Sequence, residues 1–393
     1  MGRGLRDRWR QDRQLTMSES NRKTYLAGVR TVVVKLGTQL LSGGQGRLDA
    51  AFIATIAAQI ADLRRRGLRV ALVSSGAIGC GLRELKLDKR PTDLGRLQAV
   101  AAVGQRRLMD VWAAAFEPLG LPVAQMLLTR DDIDDRTRFL NVRNTIVAAD
   151  ELGAVPIINE NDTVSTDELV KITFGDNDIL AALVAQALRA ELLILLSVVD
   201  GLLDESGQSV RLVRDIDEAR RIIRAEKSPE GKGGMDSKVN AARMMTDAGE
   251  ALVVADGRQV NVLSRILDGD DVGTLFAPAS KKRSSRMRWI GSARPAGTII
   301  IDAGASRALL EQGRSLLPAG IVSVEGHFSR GDIVAITTGD ARIIARGLTN
   351  YSADDIAKIR GKKTQDVRLL LAEAAYDEVI HRDNLFVDEA GSA

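Results

Sequence analysis

The chain has 393 residues, enough for two domains and a large buried core. Its 55 Lys and Arg against 52 Asp and Glu leave a formal charge of only +3, which argues against a dedicated nucleic-acid binder with one concentrated basic face. The single cysteine, Cys80, excludes an intramolecular disulfide and suits a reducing, cytoplasmic setting, and no apolar run reaches the about 18 residues of a membrane helix.

Residues 1–28 read as a disordered extension. They are polar, carry Arg3, Arg6, Arg8, Arg10 and Arg13, and contain no apolar signal-peptide core; Met17 offers an alternative start. The first strand is expected within Val29 to Leu36, followed by the glycine-rich turn Ser42 to Gly46. Asp49 is placed to cap a helix whose apolar face is Phe52, Ile53, Ile56, Ala57, Ile60 and Leu63, and Gly67 ends it. Strands are then expected over Arg69 to Val73, Val123 to Leu128, Val155 to Asn159, Leu192 to Leu196 and Ala251 to Ala255. Helices are expected over Arg136 to Leu152, Asp176 to Leu188 and Met235 to Ala248. Short apolar strands alternating with helices imply a three-layer αβα sandwich around a mostly parallel sheet, with ligands beyond the carboxyl ends of the strands.

The texture changes after Phe276. Residues 279–294 are charged, with Lys281, Lys282, Arg283, Arg286 and Arg288, and read as a linker between a domain at 29–278 and a small β-rich module at 295–373. Strands are expected there at Gly297 to Ile301, Gly320 to Val324, Asp332 to Thr337 and Ile343 to Leu348, with one helix at Ala303 to Gln312. Residues 374–393 read as a tail.

The two histidines, His327 and His381, lie near the C-terminus. Chemistry upstream of them must run through Lys, Asp, Glu, Asn, Ser and backbone amides. Neither a G-x-x-x-x-G-K-[ST] phosphate loop nor a dinucleotide G-x-G-x-x-G after the first strand is present. Lys35 is a charge inside a buried-strand pattern, so its ammonium meets an anion at the strand end or snorkels to solvent. Asn159-Glu160-Asn161-Asp162 places four polar groups in what reads as one turn. Asp176, in Gly175-Asp176-Asn177-Asp178, is an N-cap or a site residue. Gly231-Lys232-Gly233-Gly234 reads as a flexible run before a helix, suited to phosphate. Lys238 would then sit in the first turn against the dipole, paired with an anion or simply solvated.

Several of these segments together carry a resemblance. Val33 to Thr38, Ser74 to Ala77, Gln125 to Thr129, Ile158 to Asp162, Gly175 to Asp178 and Gly233 to Lys238 occur in the order seen in the glutamate 5-kinases of the amino acid kinase family, which they resemble from about Val29 to Ala277. Gly320-Ile321 and Ser329-Arg330-Gly331 make the C-terminal module similar to a PUA domain. The resemblance implies ATP-dependent phosphorylation of the side-chain carboxylate of L-glutamate, the first step of proline synthesis, with Mg²⁺ accompanying ATP. It further implies a homo-oligomer and feedback inhibition by proline. Lys35, Lys238 and Asp178 match catalytic positions, and Lys35, Ser75, Asp162 and Asn177 match substrate-binding positions. The implied ATP-binding set is Lys35, Ser197, Val198, Lys232, Gly233, Gly234, Met235, Asp236, Ser237 and Lys238, and no protein-held metal is implied.

Ser197-Val198 departs from the family's usual Thr-Asp and removes an acceptor beside the nucleotide; Lys232 stands where Thr is common, and Asp236 adds a negative charge to the phosphate loop. Phosphorylation of an amino acid suits the residues present. A carboxylate ionised at neutral pH needs no general base. The obstacle is repulsion between two anions, about 4 kcal/mol for unit charges at 4 Å and an effective dielectric near 20. Lys35, Lys238, backbone amides and Mg²⁺ would offset it; Asp162 would take the substrate ammonium, and Asn177 would donate to its α-carboxylate. Other acceptors within the family, an RNA-binding role for the PUA-like module, and a regulatory pseudokinase stay open, although the near-neutral charge and the lack of a basic, aromatic stripe disfavour nucleic acid.

Overall fold

In a computed structural model, the described residues are 22–42, 47–164, 177–204, 206–225, 229–279, 285–339, 342–363, 366–367, 370–371 and 376–387. They fall into two units, Met1–Lys282 and Arg283–Ala393.

The first unit is built on strands β1 (Thr31–Leu36), β2 (Arg69–Ser74), β3 (Val123–Leu128), β4 (Val155–Glu160), β5 (Leu192–Ser197), β6 (Leu212–Val213), β7 (Ala251–Asp256) and β8 (Thr274–Phe276). Their order in one eight-stranded sheet is β3-β4-β2-β1-β5-β7-β8-β6. All pairings are parallel except β7 with β8. The carboxyl ends of the first five strands and β7 therefore share one edge. Helices cover both faces. On one lie α1 (Ala50–Arg65) and α3 (Leu94–Phe116); on the other lie α4 (Arg136–Glu151), α5 (Asn177–Leu188) and α6 (Pro229–Asp247). Between β2 and α3, the short α2 (Ala77–Glu84) packs along α3.

Local chemistry accounts for these elements. The α1 helix starts where the Asp49 carboxylate accepts from the Phe52 amide, 3.0 Å away, and buries Ile53, Ile56, Ala57, Ile60 and Leu63 at helical spacing. Strand β1 alternates: Val32, Val34 and Leu36 join the α1–α3 core, which turns Val33 and Lys35 toward the face covered by α5. Helix α3 was legible in retrospect from Leu97, Val100, Ala101, Leu108, Trp112 and Phe116, all buried at helical spacing.

Three expectations need correction. Residues 22–26, read as part of a disordered extension, are helical; the fully buried Arg22 guanidinium donates to the Asp271 carboxylate at 2.7 Å and to the Val272 carbonyl at 2.6 Å, and residues 1–21 lie outside the described residues. The segment read as a linker, 279–294, contains a helix, α7 (Ser285–Ser292), with Trp289 and Ile290 buried. The segment read as a tail supplies β13 (Leu385–Val387). Each signal was too short to stand out from charged surroundings.

In the second unit, β9 (Gly297–Ile301), β10 (Ile321–Gly326), β11 (Ile333–Thr337) and β12 (Ile343–Leu348) join β13 in the order β10-β9-β11-β12-β13. Its own core includes Ile299, Val334, Ile336, Ile344, Ile356 and Ile380.

The α2–α3 crossing depends on two glycines. A Cβ on Gly104 would lie 1.8 Å from the Ala77 carbonyl oxygen, and one on Gly81 would lie 1.8 Å from that of Val100. Gly104→Ala is expected to lower stability by about 1–3 kcal/mol through overpacking. A denaturant midpoint equal to wild type would refute this reading of the crossing.

Candidate active site

Asp178, in the first turn of α5, is fully buried between two lysines. Its Oδ1 lies 2.6 Å from Lys35 Nζ on β1, and its Oδ2 accepts a hydrogen bond from Lys238 Nζ on α6 at 2.9 Å. The lysine side chains are 7% and 12% exposed. Burial alone would raise the Asp178 pKa, but the charges of Lys35 and Lys238 and their hydrogen bonds outweigh it, so the carboxyl is held below its ordinary range. One carboxylate between two ammoniums leaves a formal excess of one positive charge at the edge where the strands end.

Beside this cluster lies a cavity of about 410 Å³. Lys35, Thr38, Ser75, Asn159, Glu160, Asp162 and Asn177 line it, with Gly76 to Gly79 at the start of α2, Leu82 and Arg90. Gly76 holds φ +112° at the N-cap of α2, a left-handed conformation that a side chain would strain. Amides at the start of α2 thus border the cavity, a setting that favours a carboxylate.

A hydrogen-bond chain runs behind the cavity wall. Asn177 Nδ2 donates to Ser75 Oγ at 2.6 Å and to Asn159 Oδ1 at 3.0 Å; Asn159 Nδ2 donates to Gln105 Oε1 at 2.8 Å. Trp112 Nε1 donates to Ser74 Oγ at 2.9 Å.

The structure brings together Lys35, Asp178 and Lys238, and it places Lys35, Ser75, Asp162 and Asn177 on one cavity. The expected nucleotide residues occupy two places. Ser197 ends β5 opposite Asp256, with its carbonyl accepting from the Gly257 amide at 2.9 Å. The next residue, Val198, packs on the core, and its carbonyl accepts from Arg258 Nη2 at 2.7 Å. Residues 232–238 lie on α6.

That last placement is a correction. The glycine run is helical and does not precede a helix, because α6 begins at Pro229, and proline is well suited to a first helical position. Lys238 consequently lies beyond the first turn, and its partner is Asp178 on another helix. Asn159 and Glu160 are also not in a turn: they are the buried last residues of β4. Asn177 donates both amide hydrogens inside the protein, which leaves its carbonyl oxygen for a ligand, so the expected donation to an α-carboxylate is withdrawn. Gly43 to Gly46, Gly175 and Asp176 lie outside the described residues. Sequence reasoning missed Gln105, Thr38 and Arg90; only the helical period around Gln105 pointed to its element.

Asp178→Asn would leave two buried ammoniums without their anion and is expected to destabilise the fold by about 3–5 kcal/mol. Because the folded pKa is depressed, the contribution of the carboxylate is complete above its ordinary pKa of about 3.9 and fades as pH falls through the lowered value. Denaturant midpoints should therefore show a constant gap between wild type and Asp178→Asn down to about pH 4, narrowing only below it. A gap that disappears between neutrality and pH 5 would contradict this.

Known proteins can be set beside this geometry. Residues 30–256 match the amino acid kinase family, and residues 297–371 match the PUA domain. A glutamate 5-kinase of Caldanaerobacter subterraneus subsp. tengcongensis is 43% identical over 368 residues, which is 92% of this chain and 98% of the relative. One from Herpetosiphon aurantiacus is 45% identical over 362 residues, 90% of this chain and 97% of the relative. One from Geobacter sulfurreducens is 43% identical over 374 residues, 93% of this chain and 100% of the relative. With its buried lysine–aspartate–lysine cluster at the carboxyl edge of a parallel sheet, this chain belongs to the amino acid kinase family and carries a C-terminal PUA domain.

Proposed function

We propose that the chain transfers the γ-phosphoryl group of ATP to the side-chain carboxylate of L-glutamate, giving L-glutamyl 5-phosphate and ADP, the first step of proline biosynthesis. The observation that carries this reading is the Lys35–Asp178–Lys238 cluster beside the cavity. Near-full-length similarity to proteins named glutamate 5-kinase supports the choice of acceptor.

A substrate carboxylate is already an anion, so the reaction needs charge stabilisation and alignment, not proton abstraction. The two ammoniums, held about a single carboxylate, would bridge the phosphoryl group and the attacking oxygen as charge shifts between them. Asp178 orients both lysines and is itself fully buried. Ser75 and the amides that open α2 suit the α-carboxylate of glutamate, while Asp162 suits its ammonium. Ser197, Val198 and the 232–237 stretch of α6 are the proposed nucleotide contacts, with Val198 standing where the family's usual acid is missing.

Among the described residues, no group of three or more acids, histidines or cysteines gathers to hold a metal, and Asp178 is already committed to two ammoniums. Mg²⁺ enters the proposal as the companion of ATP's phosphates. Proline as a feedback inhibitor, a homo-oligomeric state and a cytoplasmic location complete the proposal. No described helix is long and apolar enough to cross a membrane.

The test is ATP-dependent hydroxamate formation with L-glutamate, with aspartate, N-acetylglutamate and carbamate as competing acceptors, and with and without proline. Glutamate-dependent product is expected; turnover confined to another acceptor would refute the assignment. In the same assay, Lys238→Ala should lower kcat by about 10²–10³, the cost of losing a donor to developing charge. Asp162→Ala should act mainly on the KM for glutamate. Near-normal kcat in the first variant, or an unchanged glutamate KM in the second, would remove that residue from its role.

A further inference from the structure

The cavity is backed by α3, which supplies no residue to its lining but ends two hydrogen-bond routes at Ser75. Gln105 and Trp112 lie about two turns apart on one face of that helix. Trp112 Nε1 donates to Ser74 Oγ at 2.9 Å, and Ser74 Oγ donates to the Ser75 carbonyl at 3.3 Å. Gln105 Oε1 accepts from Asn159 Nδ2, Asn159 Oδ1 accepts from Asn177 Nδ2, and Asn177 Nδ2 also donates to Ser75 Oγ. Gln105 is 8% exposed and Asn159 is 4% exposed, so water offers little substitute for these bonds.

We infer that Gln105 is a positioning residue that sets the hydrogen-bond polarity of the amino-acid cavity. This rests on the proposed kinase function. A side-chain amide has a donor end and an acceptor end, and either can face a given neighbour. The Gln105 acceptor commits the Asn159 nitrogen toward α3 and so turns the Asn159 oxygen toward Asn177. The Asn177 nitrogen is then spent on Asn159 and Ser75, and its oxygen is the end left for a ligand. Ser75 accepts from Asn177, so its hydroxyl hydrogen remains to be donated. The cavity meets an amino acid with an acceptor for the ammonium at Asn177 and a donor for the α-carboxylate at Ser75. Reversing Asn159 would reverse Asn177 and set an N–H against the ammonium.

The test uses the full chain and compares glutamate with glutarate, which lacks the ammonium. Gln105→Met keeps length and removes the acceptor; Gln105→Glu keeps an acceptor. In the hydroxamate assay, Gln105→Met should raise the glutamate KM about tenfold, the equivalent of one hydrogen bond of about 1.4 kcal/mol. The KM for ATP should stay within about twofold, and the preference for glutamate over glutarate should narrow by about tenfold. Gln105→Glu should restore most of that preference. An unchanged glutamate-to-glutarate ratio in Gln105→Met, equal rises in both KM values, or a Gln105→Glu variant that discriminates as poorly as Gln105→Met would each overturn the proposal. Should Gln105→Met fail to fold, Gln105→Glu decides alone: retained discrimination supports the role of the acceptor, and lost discrimination overturns it. No glutamate turnover by the wild-type chain would remove the kinase reading and this inference together, whereas wild-type turnover with an insensitive ratio removes only this inference.

Discussion

A carboxylate with no exposed surface sits between two nearly buried ammoniums, and the rest of the first unit is arranged to make that tolerable. Burial makes each charge costly alone. Together, Lys35, Asp178 and Lys238 satisfy one another, but their charges do not cancel. The remaining positive charge lies where a ligand can reach it, beside a cavity whose other side chains include Asp162 and Glu160. Such a site favours a ligand that brings negative charge to the lysines and positive charge to the acids. Phosphoryl transfer to an amino acid has that distribution.

The sheet makes the meeting possible. Lys35 pairs with Val73 on one side and Leu195 on the other, so its strand lies in the middle of six parallel strands whose carboxyl ends share an edge. Period-two alternation turns Lys35 toward α5, and the start of α5 carries both Asn177 and Asp178. The α6 helix packs against α5 and delivers Lys238 from far along the chain. On the opposite face, the close α2–α3 crossing at Gly81 and Gly104 holds the amides that open α2 beside Ser75. The lysine–aspartate–lysine cluster and the cavity beside it therefore depend on opposite faces of one sheet. The PUA domain builds a separate core around its own five strands, including β13, a C-terminal segment with too little apolar sequence to stand alone.

Much of this is legible in the sequence. Local patterning sufficed for β1, β3 and α1, where apolar runs, a capping aspartate and terminating glycines agree. Lys35 announces itself as a charge in a buried strand, whereas the pairing of Lys238 is one of two readings and rests on a first-turn position that the structure does not give it. Sequence determined which residues are present and how each short segment prefers to fold, because those preferences are set by neighbours within a few positions. It also determined the family, because several separated motifs keep their order. The partner of Lys238, the helical state of the glycine run, the burial of Asn159 and Glu160, and the engagement of Gln105 were decided only in three dimensions. Each depends on contacts between segments tens to hundreds of residues apart, and an amide or a lysine carries no local mark of which distant group its hydrogen bonds will meet.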